Sequence, residues 1–571
     1  MLRTWTSRRW RPMWIGLVVV AAAGAAHAGG TAAPSFPRPF DGVPIPPDNR
    51  FHRILPESAI DLSGDCDRHL DVGGCPPTSL PAALPASFLE STFVPSPVGM
   101  TIGMPFFGQF IAHDQSWMRD AADFWLVEPF VFAAGADQDG LFHNRKAPGF
   151  DLDQVYEFGP VTGLGQPEGE HWWDESGLRF RFGVSPVTGR RDFLRNGQNR
   201  ALMGDPRDDE NGVVGQIHLA FATLHNRIVD EVIVRDGIDL DTLEFDSDAW
   251  WAVFNEARNF TISYYQGIVA NEYATLLTGR SLFDAASART EPIGPLEDPF
   301  IPLEFGAGVF RQHTLIPDVI QIGPSRFVAP IDPVLRHGLP WPSLFGSGAP
   351  LASRFDLAHA PALRDIVNLV VPGSPIPITM DLAQVNILRG REMRVPSGEE
   401  YLAMLITELG HAPDVATIRG KTVLTPVTAR LILDERADAD LLADLDGGDT
   451  DLHAYILAEA QLNGGVLGPV GQDILERTWI GILQADDFSI LGASAALYTP
   501  EQLAVFRSAT MDGLLERILR PSDLDRDGVT NPHDLAMLLA AWGRPDPNAD
   551  LNGDGIVDLG DLAQLLDEWG F

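Results

Sequence analysis

The sequence predicts a mostly α-helical protein, and three features carry that prediction. Between about residues 100 and 515 the apolar residues recur at helical spacing. Over Gly212–Val234 they fall at Val214, Ile217, Leu219, Phe221, Leu224 and Ile228. Trp250–Leu277 is a second long stretch of the same kind, with Gly267 as its one expected break. The third feature is the weakness of any strand pattern. Runs such as Ile366–Ile378 are short and scattered, and that one contains several prolines, which a central strand does not tolerate.

The chain has 571 residues, more than one simple domain needs, so a large unit with something attached is expected. Its 45% hydrophobic content is that of a globular protein. Seventy-eight acids stand against 41 bases for a formal net charge of −37, and Lys146 and Lys421 are the only lysines. Nucleic acid is excluded as a partner on this balance, because its phosphates require a basic surface. The balance suits a protein that binds divalent cations.

Residues 1–28 read as a secretory signal peptide. Arg3, Arg8, Arg9 and Arg11 precede an apolar run from Trp14 to about Ala26, which ends Ala26-His27-Ala28. The run falls short of the roughly 20 residues that span a bilayer, and no later stretch is long and apolar enough to do so. After signal cleavage no membrane span is expected. Residues 29–100 are rich in Pro and Ser with little periodicity, and predict an extended arm wrapped on a larger body. The two cysteines, Cys66 and Cys75, lie in this arm, and in an exported chain they suit a disulfide.

Residues 521–571 differ from the rest. Asp523, Asp525, Asp527 and Asp534 fall at loop positions 1, 3, 5 and 12, and Asp550, Asn552, Asp554 and Asp561 repeat the pattern 27 residues later. Gly528 and Gly555 occupy position 6, where a calcium loop turns sharply around its ion. Each loop leads into a Leu-rich helix ending Trp-Gly, at Trp542-Gly543 and Trp569-Gly570. The pair resembles the dockerin-like repeats at the C-termini of exported bacterial proteins. That resemblance implies a docking or surface-retention module with a protein or cell-surface partner. Asp rather than the bidentate Glu of an EF-hand at position 12 points to a structural calcium, not a sensor.

Four stretches of the large unit, residues 101–515, carry chemistry. Gly108-Gln109-Phe110-Ile111-Ala112-His113-Asp114 sets Gln109 and His113 four residues apart, so on a helix they share one face. A neutral His beside an amide can receive and move a proton, while Asp114, pointing elsewhere, is free to hold a cation. Gly204–Asn211 is expected to open a helix, with Arg207 and Glu210 on one face. Asp208, Asp209 and Glu210 suit the positive end of a helix dipole, but Arg207 does not, which leaves it free to stabilise a developing oxyanion. Phe310-Arg311-Gln312-His313-Thr314-Leu315-Ile316 supplies a second His. Asn386-Ile387-Leu388-Arg389-Gly390-Arg391 supplies an amide to orient that His as an axial haem ligand, and two arginines suited to haem propionates.

In this order the four stretches resemble the animal-type haem peroxidases of the peroxidase–cyclooxygenase superfamily. Flanking text agrees, at Arg195-Asn196-Gly197-Gln198 and Leu224-His225-Asn226-Arg227. The resemblance covers roughly residues 100 to 480. It implies haem b as cofactor, hydrogen peroxide as one substrate, and small organic reductants or halides as the other. Gln109 and His113 would be distal, Arg207 the catalytic arginine, His313 the ligand of the haem iron, and Asn386 its partner, with Arg389 and Arg391 nearby. The family also binds calcium beside its distal His. Asp114 would be one ligand, and Asp151 and Asp153 in Gly149–Tyr156 two more, with carbonyls near Ala147 and Gly149 completing the shell.

This chain departs from the family pattern in places. Gln109 and Ala112 occupy the places open to the first ester-forming Asp, so only Glu210 can link covalently to haem. Arg311 stands two residues before His313 where the family has three, and Arg391-Glu392-Met393-Arg394 replaces Asp-His-Gly after the arginines. Phe310 holds the position of the radical-forming Tyr of the fatty-acid dioxygenases on this fold, which sets that activity below peroxidase. A non-catalytic adhesion or matrix role, suggested by the C-terminal repeats, is the other reading. It leaves the presence of Gln109, His113, Arg207, His313 and Asn386 together without a reason.

Overall fold

The computed structural model describes residues 94–569, apart from 117–145, 147, 157–158, 161–171, 186–190, 198, 210, 290–299, 322–326, 329–340, 347, 364–365, 370–377, 381, 433–438, 449, 493–494, 496–497, 526–529, 547 and 553. The expected signal peptide, the cysteine pair and most of the arm lie outside this set, as do Glu210, Asp527 and Gly528. The end of the arm is described. Val94 and Ser96 hydrogen-bond Arg354 and Ala352, and Ile102 bonds Pro350, so residues 94–102 run antiparallel to 350–354.

The fold is mostly α-helical, as the sequence predicts. Eleven helices carry the argument: α1 (Gly103–Gln115), α2 (Gly212–Asp236), α3 (Asp248–Ile268), α4 (Leu382–Glu392), α5 (Gly398–Glu408), α6 (Leu452–Leu462), α7 (Pro469–Ala485), α8 (Pro500–Arg507), α9 (Met511–Ile518), α10 (Pro532–Ala541) and α11 (Leu559–Asp567). Strands among the described residues form four two-stranded antiparallel hairpins. One pairs Ile366–Leu369 with Ile378–Met380, at the two ends of the run at 366–378.

Helix α2 begins where Asn211 accepts a hydrogen bond from the Val213 N–H, and ends at Gly237, whose φ of 63° closes the last turn. Its first four turns are buried almost all round, because α1, α3 and α9 pack against it. The join of α1 to α2 and α3 is aromatic. Phe110 stacks on Phe221 at 5.5 Å, and Tyr265 meets both rings edge-on at 6.0 and 5.4 Å. Each such ring contributes on the order of 2–3 kcal/mol through burial. Phe110 is one turn before His113, so this cluster fixes the helix face that carries the histidine.

The second long helix differs from expectation. Gly267 does not break α3. The helix continues to Ile268 and then widens into one π-type segment, Val269–Tyr273, before a short helix at Ala274–Thr278. Gly267 is there for packing, since a Cβ on it would overlap the carbonyl oxygen of Phe506 and approach Ala509 to 2.9 Å.

The C-terminal repeats form a unit with its own small core of Leu538, Ala541, Ala549, Val557 and Leu565. Gly543 N–H bonds the Val557 carbonyl and Val557 N–H the Arg544 carbonyl, tying one loop to the end of the other repeat's helix. No described helix is long and apolar enough to cross a membrane.

Candidate active site

Gln109 and His113 share a face of α1, as their spacing predicts, with His113 buried and Gln109 partly exposed one turn earlier. The His113 ring is held through one nitrogen. Its Nδ1 lies 2.6 Å from Oδ1 of Asp208, and its Nε2 meets no partner among the described residues. The other Asp208 oxygen lies 2.7 Å from Nδ1 of His218 on α2. Asp208 is wholly buried. Burial raises its pKa, but the hydrogen bonds and charges of the two imidazoles outweigh that, and it falls to about 2. Asp208 therefore serves as a carboxylate acceptor between two histidines. The sequence assigned it only to a helix dipole, and nothing in the spacing of Asp208 and His218 signalled the contact.

The Arg207 segment does not open α2. Pro206–Asp209 is a single tight turn, and the helix starts at Gly212, so Arg207 stands outside it. Its guanidinium donates to the carbonyls of His113 (2.9 Å) and Ser116 (2.8 Å) at the C-terminal end of α1, and to the Asp205 carboxylate at 2.7 Å. A cation is favourable at that negative helix end, which accounts for an Arg that seemed misplaced on α2. Asp205 is buried, which raises its pKa, yet the bonds and charge of Arg207 bring it below the ordinary value. Lys146 approaches it at 3.7 Å.

His313 opens a short turn, His313–Leu315. Its Nδ1 lies 3.0 Å from the Asn386 side-chain amide on α4, which joins the two residues that the sequence paired. The same amide lies 3.5 Å from Nε2 of His453 on α6, whose Nδ1–H donates to the Gly308 carbonyl at 2.9 Å. His453 is a partner the sequence did not single out. Burial, then the charge of Arg311 and the neighbouring His359 and His453, lower the pKa of His313 to about 3. The ring is thus a neutral imidazole. As placed, the Asn386 NH2 donates to its Nδ1, and Nε2 would offer its lone pair to a metal once the amide is turned so that its oxygen accepts from Nδ1–H. Tyr273 Oη donates to Gln312 Oε1 beside it. A Cβ on Gly108 of α1 would come within 2.6 Å of that Gln312 oxygen, so the helix of His113 and the turn of His313 meet near this edge.

Two imidazoles, each held through Nδ1 by a polar side chain, fit the needs of a haem group, His313 once the Asn386 oxygen rather than its NH2 meets Nδ1. One can ligate the iron and the other can handle protons. The arginines fit less directly. Arg391 grips Asp451 at 2.7 Å at the start of α6, and Arg389 lies on α4 with its side chain outside the described residues. A pocket lined by Asn386, Gly390, Arg391, Asp451 and His453 opens beside them.

Of the three acids expected to hold calcium, Asp151 and Asp153 lie near enough to Asp114 for their charges to act on it. Asp114 is wholly buried and accepts the Asp153 N–H at 2.8 Å. Burial first, then the charges of Asp151 and Asp153, raise its pKa well above the ordinary value. In the C-terminal repeats, ligand oxygens of Asp523, Asp525 and Asp534 lie within 4.8 Å of one another. In the second loop, Asp550 accepts the N–H groups of Asp554 and Gly555, Asn552 that of Asp554, and Asp561 those of Leu551, Asn552 and Asp558.

Comparison with known proteins bears on this site directly. The family described as animal haem peroxidase matches residues 183–523, which include Arg207, His313 and Asn386. Peroxidasin of Drosophila melanogaster is 23% identical over 339 residues, covering 57% of this chain and 21% of that protein. The chain thus spans about a fifth of the length of the curated relatives it matches. Among solved structures, peroxidase A of Dictyostelium discoideum superposes with a TM-score of 0.52 at 17% identity, covering 83% of this chain and 93% of that one. A fatty acid alpha-dioxygenase of Arabidopsis thaliana gives 0.51 at 17% identity, covering 77% and 74%. These two likenesses establish the shared fold, and the family match over more than half the sequence goes further: the chain belongs to the animal haem peroxidase family.

Proposed function

We propose that the chain is an exported haem peroxidase that reduces hydrogen peroxide and oxidises small organic molecules or halides. The observation that carries this reading is the pair His113 and His313, each held through Nδ1 by a side chain of another segment, Asp208 and Asn386. Haem, when bound, supplies the redox chemistry that splits the O–O bond. His313 would hold it through Nε2, with Asn386 fixing the plane of the ring. His113 Nε2 would take the proton from one peroxide oxygen and return it to the other as the bond breaks. Arg207 is held at the His113 carbonyl and ion-paired with Asp205, so any part it takes in stabilising developing negative charge would be through that pair. Glu210 is the one carboxylate placed by the sequence to esterify the haem. Phe310 stacks on Phe305 at 4.8 Å and carries no phenol for radical chemistry, so no observation favours fatty-acid oxidation.

Calcium is proposed at two places. The charges of Asp151 and Asp153 act on buried Asp114 beside His113, and a divalent cation there would favour its ionised form. Asp523, Asp525 and Asp534, with Asp527, form the first C-terminal site, and Asp550, Asn552, Asp554 and Asp561 the second. The repeats expose Leu539, Trp542, Ile556, Leu559, Leu566 and Trp569, an apolar surface that suits retention on a protein or cell-surface partner. Export rests on the signal-peptide pattern of residues 1–28.

The test is the visible spectrum of the haem-loaded protein before and after one equivalent of hydrogen peroxide, followed by a phenol. A rapid shift of the Soret band that the phenol reverses is expected. His113→Ala and Arg207→Ala should each slow the peroxide step, and His313→Ala should weaken haem retention. Full activity in both of the first two variants would sink the assignment.

A further inference from the structure

Asp208 does something that the peroxidase reading alone does not require. It is a buried carboxylate with one oxygen on each of two imidazoles, at 2.6 Å from His113 Nδ1 and 2.7 Å from His218 Nδ1. A carboxylate can only accept, so both Nδ1 atoms must carry the hydrogen. A neutral His113 then has one tautomer open to it, with the lone pair on Nε2.

The surroundings leave the carboxylate little room to move. Its backbone is locked in the Pro206–Asp209 turn, where its N–H bonds the Asp205 carbonyl at 3.1 Å. A Cβ on Gly215 of α2 would approach the Asp208 carbonyl to 3.3 Å, so turn and helix are in close contact. His218 is itself wedged, with Phe193 edge-on at 5.1 Å and Phe110 at 6.1 Å. The low pKa of Asp208 agrees with an ionised acceptor at all working pH values.

We propose that Asp208 is a positioning residue that fixes His113 as its Nδ1–H tautomer and aims Nε2 as the free base, with His218 anchoring the second carboxylate oxygen. The chain is Nε2 (free)–His113–Asp208–His218, and its three members come from α1, the preceding turn and α2. This rests on the peroxidase reading for its purpose, but the tautomer stands or falls independently of activity. The arrangement has the logic of an acid that orients a catalytic imidazole without being protonated itself.

The test uses the full-length protein labelled with 15N in its histidines, first without haem and then loaded. His113→Gln and His218→Gln assign the two rings. In the unsubstituted protein both rings should show a protonated, pyrrole-like Nδ1 and a pyridine-like Nε2. Asp208→Ala should abolish this preference at His113. The near-isosteric Asp208→Asn can accept from one ring but must offer N–H to the other, so one tautomer should reverse. In the loaded enzyme, Asp208→Ala should slow the reaction with peroxide by about 100-fold. Haem content and KM for the phenol should not change, and Asp208→Asn should recover part of the loss. A pyridine-like Nδ1 on His113 in the unsubstituted protein overturns the proposal. So does an Asp208→Asn protein that keeps both tautomers and the full peroxide rate. If the loaded protein ignores peroxide while both rings show Nδ1–H, the peroxidase reading fails and the tautomer assignment is upheld.

Discussion

Gly267 shows how one missing Cβ lets two helices pack closely. The carbonyl of Phe506 fills the space beside it, and that carbonyl ends α8, which packs on α3. Gly267→Ala must push rigid backbone aside, and overpacking of this kind costs about 1–3 kcal/mol. Thermal unfolding should fall by several degrees, and an unchanged transition would mean that α8 can shift freely. A second residue-scale effect is electrostatic. His225 is wholly buried, accepts from Tyr156 Oη at 3.0 Å through Nδ1 and faces the Leu178 carbonyl through Nε2 at 2.8 Å. Burial lowers its pKa to about 3, only partly offset by the Leu178 carbonyl. The folded protein therefore binds fewer protons than the unfolded chain below pH 6.5, and stability present above that value is lost as pH falls toward 3. Between pH 7.5 and 5 this one ring should cost about 2 kcal/mol. Urea titrations at both values should show the loss shrinking by that amount in His225→Phe. An equal loss in the variant would place the acid sensitivity elsewhere.

Among the elements, position 12 of each C-terminal loop has two jobs. Asp534 and Asp561 are the third helical residues of α10 and α11, where each returns a bond to the backbone N–H of the N-cap residue, Asn531 or Asp558. The same carboxylates reach back into the loop, Asp534 to the Asp525 N–H at 3.1 Å. A shorter Asp can do both, which gives a structural reason for Asp where EF-hands place Glu. The two jobs are separable. Asp534→Asn keeps an acceptor for the cap but removes charge from the Asp523–Asp525 cluster, so helix α10 should persist while calcium affinity falls. Asp534→Ala should lose both, at about 1 kcal/mol for the cap. Calorimetric calcium titration with circular dichroism would check this, and equal calcium affinity in Asp534→Asn would remove the acid from the site. At this scale the sequence was most readable where spacing is local. The face shared by Gln109 and His113, the span of α2 and the paired loops all follow from short-range periodicity. The widening at Val269–Tyr273, the turn at Pro206–Asp209 and the hairpin inside 366–380 do not, because packing against distant segments decides them.

For the whole molecule, the same distinction separates the two halves of the site. Pairs joined by a recognisable order of residues, such as His313 with Asn386, could be anticipated from text 73 positions apart. The Asp208 bridge, the grip of Arg207 on the end of α1 and the place of His453 arise from how α1, α2, α4 and α6 pack, and no local pattern encodes that packing. The large helical body and the C-terminal repeats are also built on different terms. The body has an extensive core of aromatic and aliphatic side chains, whereas among the described residues the repeats build theirs on five buried apolar residues and leave many apolar ones exposed. So small a core supplies little net stability without a metal. Withdrawing calcium should therefore loosen residues 521–571 first, well before the body unfolds. Limited proteolysis of the full chain in chelator should cut within the repeats and leave a resistant fragment ending near Leu519, and added calcium should suppress that cut. Magnesium should protect less, because its demand for a compact octahedral shell suits a loop of this length poorly. Equal cleavage with and without calcium would show that the repeats hold themselves together through Leu538, Val557 and Leu565 alone.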